Sequence, residues 1–324
     1  MTYQPPFTIT TEIIDLISAV SEQVGFVQRD FLDASPQLRK ANRIKTITGT
    51  LQIEGSTLSE EQVSAVLDGK PVLASVRELA EVKGAIAAYD KLNGLNPYKL
   101  DDLLEAHGLM MGDVLKQAGA FRDKPVGVFK DKEVVHVAPP AHKISGLMAE
   151  LLAWAKQSDA HPLIVSSVFH YEFEFIHPFM DGNGRMGRLW QTLMLAQWKP
   201  LFVDMPLESV IKTHQQEYYK SLGSADSAAD STVFIAFMLK AILQTLENAS
   251  VKAPQNAPVN IEGMKTPDAI MALVAANPNI TRAEMAEKIG KDIRTIGRAI
   301  RKLQDAGKLQ RIGSDKAGHW VLLP

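Results

Sequence analysis

Within twelve consecutive residues, His177-Pro-Phe-Met-Asp181-Gly182-Asn183-Gly184-Arg185-Met186-Gly187-Arg188, the chain gathers a base, a hard carboxylate, a glycine-rich turn and two guanidinium groups. Gly182 and Gly184 flank Asn183 just before a helical run that starts near Arg185. Glycine tolerates positive φ and close backbone approach, so successive N–H groups can turn inward as an anion nest at a helix N-terminus. Phosphate is the natural guest of such a nest. Arg185 and Arg188 share one helix face by their spacing, and their planar forks suit phosphate oxygens. Asp181 offers an oxygen to Mg²⁺, which needs only one or two protein carboxylates when phosphates supply other ligands. His177 is the side chain of this run that can take a proton near neutral pH.

Zinc is the rival use of the same histidines. His170, Glu174 and His177 fall on one helical face by spacing, but the order His-x-x-x-Glu-x-x-His differs from His-Glu-x-x-His, and Pro178 ends the helix directly after His177. Phosphate chemistry therefore leads.

Helices must position these groups. Apolar residues recur at helical spacing over residues 11–120, for instance Ile13, Ile14, Ile17 and Val20, then Leu79, Val82, Ile86 and Tyr89. Phe121–Pro140 breaks that pattern: Val126, Val128, Val134, Val135 and Val137 surround Lys130-Asp-Lys-Glu133, the shape of a β-hairpin closed by Pro139-Pro140. Helices over Ile144–Lys156 and Pro162–Ile176 lead into the His177 loop, and Arg185–Gln197, Leu207–Ser221 and Thr232–Ala249 follow it. Pro254 and Pro258, among small and polar residues, mark a linker. The expected organisation is a helical region over 1–95, a core over 96–247, a linker over 248–265 and a small domain over 266–324.

Composition bounds the function. The 324 residues, 46% hydrophobic and 22% charged, have ordinary globular composition, and the absence of cysteine excludes disulfides, thiolate zinc sites and cysteine nucleophiles. The N-terminus lacks the basic-then-apolar order of a signal peptide, and no stretch approaches the roughly 20 apolar residues that span a bilayer. A cytoplasmic protein with no membrane partner is the expectation. The net charge of −2 does not by itself point to a partner.

The run 177–188 resembles the signature of Fic-domain proteins, His-Pro-Phe-x-Asp/Glu-Gly-Asn-Gly-Arg-x-x-Arg, and matches it without a departure. His170-Tyr-Glu-Phe-Glu-Phe-Ile176 also resembles the helix leading into that family's loop, and Tyr218-Tyr219 resembles its paired aromatics. The resemblance implies a mainly α fold, with a helical core and a β-hairpin flap. It implies a protein adenylyltransferase that moves AMP from Mg-ATP to a Ser, Thr or Tyr hydroxyl of a target protein. His177 would be the general base and Asp181 the Mg²⁺ ligand. Gly182, Asn183 and Gly184 would cradle phosphates, Arg185 and Arg188 would hold the phosphate tail, and Met186 and Gly187 complete the phosphate-binding run. Tyr218 and Tyr219 would border the adenine, although aromatics on an amphipathic helix also read as core. The hairpin would align an extended target segment by strand addition, with a plain surface hairpin as the alternative.

Thr50-Leu-Gln-Ile-Glu54-Gly55 resembles the family's inhibitory motif, Ser/Thr-x-x-x-Glu-Gly/Asn. The resemblance implies that Glu54 pairs with Arg188 and displaces the γ-phosphate, since a carboxylate competes for the same guanidinium fork. Doc-type kinases of the family carry a lysine where this chain has Gly184, so AMP transfer is favoured over phosphate transfer. Removal of AMP from a modified protein stays open, because a glutamate can also orient a water. A homodimer could tune such an inhibitory contact.

Residues 266–324 follow a separate logic. Ala269, Ile270, Leu273 and Val274 form one amphipathic helix. Thr281 and Glu284 make a capping-box pattern for a second helix ending at Gly290, and Asp292–Ala306 forms a third. Two short strands follow, and the whole resembles a winged helix-turn-helix. Arg294, Arg298 and Arg301 lie away from the apolar Ile293, Ile296, Ile300 and Leu303, and ten Lys/Arg here outnumber six Asp/Glu. That stripe suits DNA phosphates, and protein contact is the competing use. A DNA-binding regulator whose nucleotide loop senses ATP is thus the second functional class.

Overall fold

The computed structural model describes residues 3–32, 36–130, 133–252, 261, 264–276, 280–312 and 319–322. The chain divides into two compact units, Met1–Asn248 and Ala249–Pro324. The first is helical: α1 (Thr11–Leu32), α2 (Pro36–Ile53), α3 (Glu60–Leu67), α4 (Val76–Lys91) and α5 (Leu100–Met111) precede a hairpin of β1 (Gly127–Lys130) and β2 (Glu133–Val137). Then come α6 (Ile144–Gln157), α7 (Pro162–Ile176), α8 (Asn183–Trp198), α9 (Leu207–Thr213), α10 (Gln215–Ala228) and α11 (Thr232–Lys252).

The core is built around α7 and α8. Every residue of α7 from Leu163 to Phe173 is buried, as is every residue of α8 from Arg185 to Leu195, so neither helix shows a solvent face over these stretches. A helix apolar or buried all round must sit inside its domain, and the loop joining these two is thereby anchored at both ends. Other helices wrap this pair, and the starts of α3 and α4 obey local rules: Ser59 with Gln62 and Ser75 with Glu78 form capping boxes on them.

Two close approaches depend on glycine. A Cβ on Gly49 of α2 would lie 2.7 Å from the backbone carbon of Glu208 in α9, and one on Gly84 of α4 would collide with the Met110 carbonyl of α5. Where the backbones come this near, no side chain fits.

The hairpin is antiparallel, pairing Gly127 with Val137 and Lys130 with Glu133, and its register shifts between Val128 and Phe129. Such an irregularity bends and twists a strand pair. Asp131 and Lys132, the expected turn, lie outside the described residues.

Three expectations change. One helix over Leu207–Ser221 is replaced by two, broken at His214 with φ −106° and ψ 33°; no glycine or proline marks the break, so periodicity ran through it. The helix after the signature starts at Asn183, which puts Asn183 and Gly184 inside its first turn. Helix α11 continues to Lys252, into the expected linker, of which residues 253–260 lie outside the described residues. Its stretch Thr232–Ala249 is long and apolar enough by length and composition to cross a bilayer, against the sequence expectation, but half of it is buried inside the protein.

The second unit contains α12 (Thr266–Ala276), α13 (Arg282–Ile289), α14 (Ile293–Asp305), β3 (Leu309–Ile312) and β4 (His319–Leu322), the strands pairing antiparallel. Its core packs Ile270, Leu273, Met285, Ile300, Leu309 and Trp320, with Trp320 Nε1 donating to Ile280 O at 3.0 Å. Thr281 and Glu284 make the expected capping box, and Gly290 ends α13 at φ 67°. Ile293 is exposed and leaves the expected apolar face, because it occupies the first position of α14, beyond the core. The expected turn at residues 313–318 lies outside the described residues.

Gly49→Ala should lower the unfolding free energy by about 1–3 kcal/mol, the usual cost of overpacking. Gly25→Ala, in α1 with nothing within 4 Å of an added Cβ, should stabilise by about 0.5–1 kcal/mol through helix propensity. Urea denaturation of the two variants tests this pair of opposite signs.

Candidate active site

The signature loop begins where α7 stops. His177 takes the left-handed conformation, φ 50° and ψ 61°, and its N–H closes the helix on Phe173 O at 2.9 Å. A non-glycine residue is held there only when its surroundings enforce it. Arg122 does so: Nε donates to His177 O at 2.7 Å and Nη2 to Ile176 O at 3.3 Å, while its own N–H reaches Pro178 O at 2.9 Å. The same guanidinium donates to Lys124 O at 2.9 Å and Pro139 O at 2.6 Å, on either side of the hairpin. Arg122 is almost wholly buried, and that burial lowers its pKa from the ordinary arginine value. The His177 ring donates from Nδ1 to Glu174 O at 3.3 Å, since a carbonyl only accepts, and this leaves Nε2 as the basic nitrogen.

The middle of the loop is pinned from inside. Asn183 accepts from Phe179 N–H and donates to Phe179 O, both at 2.9 Å, so its side chain closes the loop on itself. His107 of α5 stacks on Phe179 with ring centroids 3.6 Å apart. Gly119 N–H donates to His107 Nδ1 at 2.9 Å, so Nε2 carries the proton and donates to Asp181 O at 3.1 Å. Burial, with Arg185 nearby, depresses the His107 pKa to about 4. Gly182 then caps α8 at φ 84°, and the first-turn N–H groups of Asn183, Gly184 and Arg185 point out of the helix start without intrahelical acceptors.

Two arginine networks flank that helix start. Asp181 Oδ1 accepts from Gly182 N–H at 2.6 Å and from Arg185 Nη2 at 3.1 Å, and Oδ2 accepts from Arg77 Nη2 at 3.1 Å. Glu81 bridges Arg185 at 3.4 Å and Arg77 at 3.2 Å, so α4 contributes two charged groups beside the loop. Arg188 is buried. Its Nε donates to Thr50 Oγ1 at 2.9 Å, and Nη2 donates to Thr50 O at 3.2 Å and Glu54 Oε1 at 2.6 Å. Burial alone would pull the Arg188 pKa down, but the Glu54 carboxylate, Tyr218 and Glu174 together outweigh it, and the guanidinium is held charged, above its ordinary value. Glu54 Oε1 lies so close to Gly184 that an added Cβ would collide with it.

The Gly55 of the Thr-x-x-x-Glu-Gly motif has a geometric purpose. Ser56 N–H returns to Leu51 O and Gly55 N–H to Gln52 O, both at 3.1 Å, which is the Schellman ending, with Gly55 at φ 92°. Glu54 is therefore the C-cap of α2, and the turn aims its side chain at α8. Thr50, one turn earlier, presents its hydroxyl to the same guanidinium.

Other expected site residues sit differently. Met186 is fully buried and its N–H is spent on Gly182 O at 3.0 Å, so it offers nothing to a phosphate. Gly187 is the space into which Glu174 and His170 pack, with a Cβ there 2.9 Å from Glu174 Oε1. Tyr218 is 1% exposed and its hydroxyl lies 3.0 Å from His170 Nε2, which makes it core rather than a wall for adenine. Tyr219 is 47% exposed and donates to Ile53 O at 3.1 Å. His170 donates from Nδ1 to Gln191 Oε1, and burial takes its pKa to about 3. No group of three or more acidic, histidine or cysteine residues able to hold a metal occurs among the described residues.

Arg122, His107, Arg77 and Glu81 carried no motif signal. His107 alone left a trace, as a polar residue on the stripe Leu103, Ala106, His107, Met110 that otherwise faces the core.

A loop between two buried helices, a glycine-capped helix start, paired arginines and an adjacent hairpin define a helical core of one recognisable class. The chain belongs to the Fic family. It is 38% identical to a Fic family protein from Desulfovibrio desulfuricans G20, covering 99% of this chain and 98% of that one, with a TM-score of 0.74. Residues 97–195 match the Fic/DOC family and residues 269–310 match the family described as winged helix-turn-helix DNA-binding. Proteins named protein adenylyltransferase Fic are similar too: that of Culex quinquefasciatus is 32% identical over 67% of this chain, and that of Aedes aegypti 30% over 66%. The chain spans 43% and 44% of those two relatives, less than half their length.

His107 and His170 refuse protons that an unfolded chain accepts near the ordinary imidazole value of 6.5. The unfolded state therefore binds more protons between these limits, and stability falls as pH drops from about 6.5 toward 4. Chemical denaturation across that range should show the decline, and His107→Gln should flatten part of it.

Proposed function

We propose that this chain is a protein adenylyltransferase, transferring AMP from Mg-ATP to a Ser, Thr or Tyr hydroxyl of a target protein, and that Glu54 restrains it. The observation that carries the reading is the 2.6 Å pair between Glu54 and Arg188, seated against Gly184 at the start of α8. A carboxylate there lies where helix N–H groups and a guanidinium would otherwise receive a phosphate. That is an anion site filled by the protein's own anion.

The chemistry follows from the surrounding groups. The target hydroxyl oxygen attacks the α-phosphorus of ATP, the bond from that phosphorus to the bridging oxygen breaks, and pyrophosphate leaves. His177 Nε2 takes the hydroxyl proton, oriented by its Nδ1–H bond to Glu174 O. The N–H groups at the start of α8, with Arg185 and Arg188, position and neutralise the phosphates, which is most of what such a transfer asks of a protein. The donor set fits Mg²⁺ brought in on a nucleotide: Asp181 is a single partly exposed carboxylate, and its Oδ2 partner Arg77 is itself 65% exposed and displaceable. Asp181 would hold the ion, which supplies further neutralisation of phosphate charge. The β1–β2 hairpin offers an extended target segment a strand to pair with. Gly184 favours transfer of AMP over transfer of the terminal phosphate.

For the second unit the family match, with Arg294, Arg298 and Arg301 all exposed on α14, supports a second reading: the winged helix meets DNA phosphates. Duplex binding should weaken steeply as salt rises from 50 to 200 mM, a range given by the counterion-release rule. Replacing the three arginines with alanine should abolish binding; binding that ignores both changes refutes DNA contact here.

The first measurement is label transfer to protein in a lysate from α- or γ-labelled Mg-ATP. Glu54→Gly should label strongly from the α-label only, and adding His177→Ala should remove it. Labelling from the γ-label only means phosphate transfer. None from either moves AMP removal or the nucleotide-sensing regulator forward.

A further inference from the structure

A helix ends with four carbonyls that lack intrahelical partners, and each needs an acceptor's share of hydrogen bonds from elsewhere. At the end of α2 these belong to Thr50, Leu51, Gln52 and Ile53. Arg188 reaches Thr50 O at 3.2 Å, and the Schellman turn serves Leu51 O and Gln52 O. The remaining donors come from one place, the elbow between α9 and α10. Lys212 Nζ donates to Gln52 O at 3.0 Å, Gln215 Nε2 to Ile53 O at 2.8 Å and Tyr219 OH to Ile53 O at 3.1 Å. Lys212 also donates to Gln215 Oε1 at 2.6 Å, which ties the two side chains into one clasp. Its ammonium lies at the negative end of the α2 dipole, where a cation is favoured.

We infer that Lys212 and Gln215 are positioning residues for Glu54: by gripping the Gln52 and Ile53 carbonyls they keep its carboxylate against Gly184 and Arg188. The inference rests on the reading of Glu54 as a restraint. The body of α2 is held separately, through the contact of Gly49 with the α9 backbone and through Ser209 Oγ donating to Lys45 O at 3.0 Å. Only the last turn depends on the clasp. Helix ends open at far lower cost than whole helices, so releasing these two side chains loosens the turn that carries Glu54, leaving Tyr219 as the one elbow donor to Ile53 O, without undocking α2. The break at His214 acquires a reason as well: it turns Lys212 and Gln215 together onto the α2 terminus.

The test compares four proteins: the unaltered chain, Lys212→Met with Gln215→Ala, Glu54→Gly, and all three changes combined. Transfer from α-labelled Mg-ATP to lysate protein is measured, with amide hydrogen exchange over residues 50–56 in parallel. The clasp variant should raise labelling roughly tenfold, equivalent to about 1.4 kcal/mol. The combined variant should match Glu54→Gly alone, and exchange should quicken over 50–56 but not in α8. Lys212→Arg, which keeps a donor, should stay at the unaltered level. If Glu54→Gly labels protein while the clasp variant stays at the unaltered level, the inference is wrong. A clasp effect of equal size in the absence of Glu54 overturns it too. If even Glu54→Gly transfers no label, the adenylyl-transfer reading fails separately. Exchange then decides the clasp: quickening confined to 50–56 supports it, and unchanged exchange refutes it.

Discussion

A buried guanidinium at Arg188 is the constraint around which the first unit is arranged. An arginine withdrawn from water must find acceptors for its donors, and an anion beside it offsets the cost of desolvating its charge, which is several kcal/mol when uncompensated. Here the acceptors come from α2, through the Thr50 hydroxyl and carbonyl, and the anion is Glu54. The last turn of α2 is thus a component of the α8 environment, although 138 residues separate Thr50 from Arg188 in sequence. The glycines follow from this. Gly184 leaves room for the carboxylate, Gly55 lets the chain turn away after delivering it, and Gly49 lets α2 lie close enough on α9 for delivery.

A second buried guanidinium, Arg122, solves a different problem in a similar way. Its partners are backbone carbonyls, and by bonding on both sides of the hairpin as well as to His177 it ties the hairpin and His177 into one unit. Carbonyls carry no net charge, so the desolvation of Arg122 is offset less completely than that of Arg188, and the two pKa values move in opposite directions. The contrast separates two uses of arginine: one is satisfied by backbone carbonyls and fixes a loop, and the other is satisfied by a carboxylate.

Much of this was legible beforehand because it is written in contiguous residues. The signature from His177 to Arg188, the Thr-x-x-x-Glu-Gly motif, the capping boxes and the helical periodicity all lie within a few turns of chain. What escaped was long-range. Arg122 and His107 act on the loop from 55 and 74 positions away, with partners that are backbone carbonyls and leave no sequence pattern. Tyr218 and Met186 looked like ligand-facing residues by position in a motif, yet only packing decides which face of a helix is exposed. The elbow at His214 escaped for the opposite reason, since its cause is tertiary and no local breaker announces it.

The restraint proposed for Glu54 would act through a carboxylate paired with the buried Arg188. Removing an anion from beside a buried cation is costly, but exchanging it for another anion is not, because the guanidinium stays paired throughout. On that proposal Glu54 and a nucleotide phosphate would compete for one seat, and their balance would depend on the difference between two similar pairings rather than on either pairing's full strength. A difference of about 1.4 kcal/mol changes such a balance tenfold. Interactions far weaker than the ion pair itself, such as side chains bonded to the carbonyls of the α2 terminus, are then large enough to set it. A strong buried contact can in this way be governed by weak ones at its periphery.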